Sequence, residues 1–160
     1  MNRNVSIQER PPFQSAGFAI GLAYRKLSAL LQQRLGEYDI TTEQWSVLNQ
    51  VYRTPGMIQK DIADRVGKDK PTTTRILDLL ERKGLVLKQA GQQDRRSFLV
   101  FCTEQGASAM RETAPIEESV TADVRACMSD EEYALFMNLL MRVHLHASER
   151  LTAGESHRRS

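Results

Sequence analysis

The sequence predicts a mainly α-helical chain with one small β-hairpin, an α+β fold class built from six helices and two strands. Apolar residues recur every three or four positions along most of the chain, which is typical of amphipathic helices. Between residues 85 and 101 the pattern changes to short runs of branched and aromatic residues, which favours strands. With 160 residues, 41% hydrophobic and 26% charged, the chain has a globular composition rather than a disordered one.

Each element has its own local signals. Thr41 opens a capping box, Asp69 is an N-cap, and Ser129 is followed by three acids that complement a helix dipole. Gly67 and Gly84 stand where helices end. The predicted helices cover residues 15–38, 41–53, 58–66, 69–83, 103–128 and 129–147, and the predicted strands cover residues 85–89 and 97–101.

The segments at the two ends of the chain are predicted to be irregular. Pro11-Pro12 favours an extended or disordered arm over residues 1–14. The polar residues 148–160 are predicted to form a frayed tail. The first and last helices carry more apolar surface than one core-facing stripe requires, so both are candidates for contact with a second chain.

The third and fourth helices have the spacing of a helix-turn-helix. Gln59, Ala63 and Gly67 are four residues apart, which places a small residue at the helix crossing and a glycine at the turn. The next helix begins with residues 70–75, a stretch of Lys, Thr and Arg that suits a major groove. We expect Thr73 to pack inward. An ordinary pair of packed helices is the alternative interpretation.

The predicted hairpin adds a second basic surface beside that helix. Residues 53–101 contain eleven Lys/Arg and six Asp/Glu, whereas the rest of the chain is nearly balanced or acidic. The hairpin turn includes Asp94 and Arg96, and an arginine there can enter a minor groove. A solvated turn would carry the same residues.

These motifs together resemble the MarR family of bacterial winged-helix regulators. The family's wing signature is Asp-x-Arg, about five residues, then Leu-Thr and a nearby Gly. The chain has Asp94-Arg95-Arg96, then Cys102-Thr103 and Gly106. Cys102 replaces the usual leucine, which is a small change because a buried cysteine behaves as a small hydrophobe. The resemblance covers residues 15–147. It includes residues 80–86, which are similar to the family's connection from the recognition helix to the wing.

The resemblance implies a cytoplasmic transcriptional regulator that binds an inverted-repeat DNA operator as a homodimer. It implies a DNA-binding lobe over about residues 41–101, dimerisation helices at about 15–38 and 103–147, and repression relieved by a small-molecule effector. Arg96 becomes the minor-groove residue and Asp94 the residue that stabilises the wing. The predicted major-groove residues are Lys70, Thr72, Thr74 and Arg75.

Aromatic residues and cysteines give weaker signals. Tyr24, Tyr38 and Trp45 are candidates for a ligand pocket near the first two helices, although aromatics at helical spacing are more often core residues. Some members of the resembled family sense peroxides through a cysteine in the first helix. Cys102 and Cys127 lie elsewhere, so redox sensing is the less favoured interpretation.

No enzymatic activity, metal site or cofactor is predicted. His144 and His146 are two residues apart, which points them to different helix faces and does not suit a metal pair. No apolar run reaches the ~18 residues that a membrane span needs. The alternative function is a winged-helix module that binds a protein rather than specific DNA. Basic residues at Lys70, Arg75 and Arg96 favour DNA.

Overall fold

The computed structural model describes residues 15–91 and 98–158. It confirms a mainly helical fold with a small antiparallel wing and long terminal helices. Residues 1–14 and the wing residues Asp94 and Arg96 lie outside the described residues. The elements in chain order are α1 (Ala16–Arg34), α2 (Thr42–Arg53), β1 (Met57–Ile58), α3 (Gln59–Val66), α4 (Lys70–Arg82), β2 (Val86–Ala90), β3 (Phe98–Cys102), α5 (Glu104–Arg125) and α6 (Asp130–Arg158).

The wing is a sheet of three strands rather than the two-stranded hairpin that the sequence predicts. The strand order is β1-β3-β2, with Ile58 paired to Leu99 in β3. Ile58 is therefore in a strand and not at the start of the third helix, which begins at Gln59. A two-residue strand has no periodic pattern of its own. It forms because the turn at Gly56, whose N–H donates to the Val100 carbonyl at 2.9 Å, brings it alongside β3.

Local capping signals place most helix ends correctly. The capping box at Thr41 is confirmed, since the Thr41 hydroxyl accepts from the N–H of Gln44 at 3.2 Å and the Gln44 side chain accepts from the N–H of Thr41 at 3.3 Å. α1 ends at Arg34 instead of Tyr38. The N–H of Tyr38 donates to the carbonyl of Leu35 at 2.8 Å, so the chain turns there while the apolar spacing continues.

The chain divides into two compact units, Met1–Glu118 and Ser119–Ser160, with the division inside α5. α5 ends at Arg125, three residues before the predicted end. α6 extends to Arg158, so residues 148–158 of the predicted frayed tail are helical. The core of the first unit consists mainly of fully buried aliphatic side chains: Leu35, Val47, Leu48, Val51, Ile62, Ile76, Leu77, Leu80, Val86, Val100 and Met110.

A tight junction joins the wing to the start of α5, and we call it the 84–106 junction after its first and last residues. The Thr103 hydroxyl donates to the carbonyl of Gly84 at 2.6 Å and accepts from the N–H of Gly106 at 3.0 Å. A Cβ atom on Gly106 would lie 2.1 Å from the carbonyl oxygen of Leu85. Only glycine fits there, which gives a packing reason for the Thr and Gly of the sequence motif.

The second unit leaves much apolar surface open. No residue of α6 between 130 and 154 is buried. Seven of its large apolar side chains are 40–59% exposed: Leu135, Phe136, Met137, Leu139, Met141, Val143 and Leu145. Among the described residues, no helix has the length and apolarity to cross a membrane.

Candidate nucleic-acid interface

The helix-turn-helix is formed by α3 and α4, as the motif predicts. Ala63 is buried, and α3 packs against α4. Gly67 ends α3 with φ of 65°, in the left-handed region that favours glycine. The N–H of Lys68 donates to the carbonyl of Ala63 at 3.1 Å, which closes the turn before α4 begins.

The two faces of α4 differ sharply in burial. Thr73 is fully buried together with Ile76, Leu77 and Leu80, so the expectation that Thr73 packs inward is confirmed. Lys70 and Arg75 are exposed, and Thr72 and Thr74 are half-buried. The predicted major-groove residues therefore lie at the surface of the helix, and the residue between them anchors it.

Asp69 fixes the start of α4. Its carboxylate accepts from the N–H of Thr72 at 2.8 Å and from the Thr72 hydroxyl at 2.9 Å. These bonds from the Thr72 backbone and side chain hold the pKa of Asp69 below its ordinary value. The N-cap is therefore ionised at neutral pH, and it satisfies a free N–H group of the first turn.

Acidic side chains on α4 are paired with a lysine of the wing. The ammonium of Lys88 in β2 forms ion pairs with Asp78 and, at 3.4 Å, with Glu81. Burial disfavours the charged form of Lys88, but the hydrogen bond and charge of Asp78, with those of Glu81, outweigh it and raise the pKa of this lysine. Sequence reasoning missed this cluster, although the spacing of Asp78 and Glu81 places both on one side of α4.

The basic residues at the N-terminal end of α4 differ from the other lysines nearby. Lys68 is paired with Glu43 at 3.0 Å, and Lys83 with Asp39 at 3.1 Å. Within residues 15–91 and 98–158, neither Lys70 nor Arg75 has a carboxylate at ion-pair distance. Their positive charge is not neutralised by this part of the chain.

The wing strands are in register up to Ala90 and Phe98, the last described pair before the connecting residues. Asp94 and Arg96 belong to that connection and lie outside the described residues. Their predicted roles, in the minor groove for Arg96 and in stabilising the wing for Asp94, stay predictions.

The three aromatic residues predicted for a ligand pocket do not converge. Tyr24 lines a recess of about 540 Å³ between α1, the start of α2 and α4, together with Arg75. Tyr38 lines a different recess of about 400 Å³ beside Lys83. Trp45 is buried, and its indole N–H donates to the hydroxyl of Thr113 at 2.9 Å. Trp45 is a core residue, because its apolar ring is buried and its single N–H is hydrogen-bonded inside the first unit.

The two cysteines have different surroundings. Burial, followed by the negative charge of Glu104, raises the pKa of the Cys102 thiol, so little thiolate forms at neutral pH. Cys127 is exposed and its thiol donates to the carbonyl of Val124 at 3.0 Å. The described part of the chain brings no three potential metal ligands together.

Known proteins resemble this chain in both sequence and fold. Residues 40–98 match the model of the MarR family. The transcriptional regulator HosA of Escherichia coli is 28% identical over 126 residues, which cover 76% of this chain and 93% of HosA. A MarR transcriptional regulator from Methanosarcina mazei Go1 is 27% identical with a TM-score of 0.76, over 83% of this chain and 96% of that one. The S. aureus MepR–DNA complex shares the fold, with 24% identity and a TM-score of 0.76 over 82% and 98% of the two chains.

Proposed function

The chain belongs to the MarR family of winged-helix transcriptional regulators, and from this premise we propose that it binds an inverted-repeat operator as a homodimer in the cytoplasm. In this proposal α4 enters the major groove, and the wing connection carrying Arg96 lies along the adjacent minor groove. MarR-family members are regulators and not enzymes, in agreement with the absence of a predicted catalytic motif.

The observation that carries this proposal is the charge distribution on α4. Lys70 and Arg75 are exposed and have no ion-pair partner among the described residues, while Lys88 neutralises Asp78 and Glu81. Free cations can contact phosphates or guanine edges, and the paired acids oppose DNA less than free acids would. MepR, which has the same fold, was crystallised with DNA. A winged-helix module for protein binding would not need unpaired cations at these positions.

The dimer is proposed from the apolar surface of the terminal helices. α6 exposes leucine, methionine, valine and phenylalanine side chains along most of its length. α1 separately exposes Phe18, Ile20, Tyr24 and Leu27. Contiguous apolar surface of this kind marks an interaction site in a soluble protein, and a second copy of the chain would cover it.

The proposed regulation is repression that a small-molecule effector relieves. The recess lined by Tyr24, Arg25 and Arg75 also includes Glu43, which is paired with Lys68. It supports this regulation, because an aromatic anion would suit its ring and cations. A ligand there would contact a residue of the DNA-reading helix. We expect benzoate, used as a probe, to release bound operator from the wild-type protein and not from the variant Tyr24→Ala, as measured by fluorescence anisotropy.

The test of DNA binding is footprinting of genomic fragments, followed by titration of the tightest site at several salt concentrations. We expect protected half-sites about 10 bp apart, since two recognition helices enter successive major grooves. The affinity should fall steeply with salt as phosphate counterions are released. Arg75→Ala should relax one base preference per half-site, worth about 1–3 kcal/mol. Arg96→Ala should weaken all sites similarly and lower the salt slope by about one.

The matched control is Arg53→Ala, which removes an exposed arginine from the end of α2 and should keep base preferences unchanged. Absence of any protected site, with an affinity that does not depend on salt, would contradict DNA binding. If Arg75→Ala keeps every base preference while Arg96→Ala alters them, the two arginines have the opposite roles.

A further inference from the structure

The three consecutive threonines of α4 share one property: each hydroxyl donates its proton within the protein. Thr72 donates to the carboxylate of Asp69, and Thr73 donates to the carbonyl of the same residue, both at 2.9 Å. Thr74 donates to the carbonyl of Lys70 at 2.9 Å. A hydroxyl has a single proton to donate. Phosphate oxygens at neutral pH only accept, so in this arrangement these hydroxyls do not bind the DNA backbone.

Thr74 is held by a second contact that the other two threonines lack. Gln59, the first residue of α3, donates from its side-chain amide to the Thr74 hydroxyl oxygen and, at 3.4 Å, to the carbonyl of Lys70. The amide of Gln59 therefore bridges α3 and the first turn of α4. It fixes the oxygen of Thr74 toward the protein, so the methyl group is the part of this side chain that remains without a polar partner.

We propose that Thr74 determines base specificity through its methyl group, by apolar contact with the C5-methyl of one thymine in each half-site, and that Gln59 is the positioning residue for it. Thr74 lies between the exposed Lys70 and Arg75 in sequence, at the end of the helix that reads bases. Threonine methyl groups are suited to thymine methyl groups in the major groove. This inference rests on the proposed function, since it assigns a base to a residue of the same surface.

The experiment uses the full-length chain and its tightest operator, with each thymine replaced in turn by uracil, which lacks only the C5-methyl. Wild-type protein should lose about fourfold in affinity per half-site at one position, the effect of leaving one methyl group uncovered. Thr74→Ser, which keeps the hydroxyl and removes the methyl, should bind thymine and uracil operators equally. Thr74→Val, which keeps a methyl and removes the hydroxyl, should still prefer thymine.

Gln59→Ala tests the positioning role separately. We expect its thymine preference at that position to fall while its affinity for non-operator DNA stays unchanged, which a loss of folding would not produce. Circular dichroism of each variant checks that the helices are intact. The uracil series with wild-type protein needs no substitution at all, so it can overturn the inference even if a variant unfolds.

The inference is overturned if wild-type protein tolerates every uracil, or if Thr74→Ser keeps the same thymine preference, since a different apolar group would then contact the thymine methyl. A wild-type protein that binds no operator would overturn the proposed function and this inference with it. Normal operator binding without uracil sensitivity would overturn this inference alone.

Discussion

α4 and α6 are both rich in apolar side chains, but they use them in different ways. In α4, Ile76, Leu77 and Leu80 are at most 2% exposed. In α6, Leu135 and Leu139 are 59% and 44% exposed. The apolar residues of α4 form one stripe opposite the polar face, whereas those of α6 occupy neighbouring positions on several sides of the helix.

This difference separates stability that comes from burial within one chain from stability that comes from association of chains. The free energy that α4 gains from burial is already present in a single copy of the chain. In the proposed dimer, the corresponding gain for α6 comes from a second copy of the chain, so it would vary with protein concentration. Substitutions of the same type in the two helices should therefore have different consequences.

The largest expected effect is that of Leu80→Ala in α4. Leu80 is fully buried, so its truncation leaves a cavity in the first unit. We expect the free energy of unfolding to fall by about 2–5 kcal/mol, measured by urea denaturation at low protein concentration. An effect below about 1 kcal/mol would mean that the surrounding side chains collapse into the space.

Leu139→Ala in α6 makes the same chemical change at an exposed site. We expect a change below about 0.5 kcal/mol in the unfolding of the dilute chain, because surface substitutions are nearly neutral. The dimer dissociation constant should rise at least about tenfold, since each subunit loses apolar contact area. Sedimentation velocity over a range of concentrations measures it.

Asn138→Ala is the matched control, because Asn138 is the exposed polar neighbour of Leu139. It should keep the dissociation constant of the wild-type protein. A dissociation constant that is unchanged in Leu139→Ala would place the dimer interface elsewhere. A monomeric wild-type protein would contradict the dimer itself.

The two cysteines also differ in burial between the two units, and the smallest expected effect is a difference in their rates of alkylation. Cys102 is half-buried in the wing and burial raises its pKa, whereas Cys127 is exposed in the second unit. Because the thiolate is the reactive form, iodoacetamide at pH 7.5 should label Cys127 well before Cys102. Mass spectrometry of Cys102→Ser and Cys127→Ser identifies each site. Faster labelling of Cys102 would support a redox role for it.

Local signals in the sequence are sufficient for the order of the helices and for the surface position of the candidate residues Lys70, Thr72, Thr74 and Arg75. Asp69 and Gly67 mark their helix ends because a cap is formed by adjacent residues. The hydrogen bond from Gln59 to Thr74 joins two helices across fifteen positions, and no periodicity encodes it. The buried hydrogen bond of Trp45 is equally beyond a local pattern, since its partner Thr113 lies 68 residues away.

Local sequence patterns also fail to predict β1 and the positions of the candidate pocket residues. Ile58 fits an apolar step of four with Ile62 and Val66, so helical spacing included it in the third helix. Its strand pairing depends on β3, which is distant in sequence. Tyr24 and Tyr38 are both aromatic residues at helical spacing, but α1 ends between them and they line separate recesses.

The 84–106 junction has a consequence for how sequences of this kind can vary. It fixes both strands at their helix-proximal end through Thr103 and Gly106, independently of the connecting residues at the other end. Closing a longer loop costs only slightly more free energy. In the proposed DNA complex, insertions and deletions between Gly91 and Phe98 would therefore change the reach of the wing while the helix-turn-helix stays intact. Position 106 accepts no residue other than glycine, because a side chain there would clash with the backbone of Leu85.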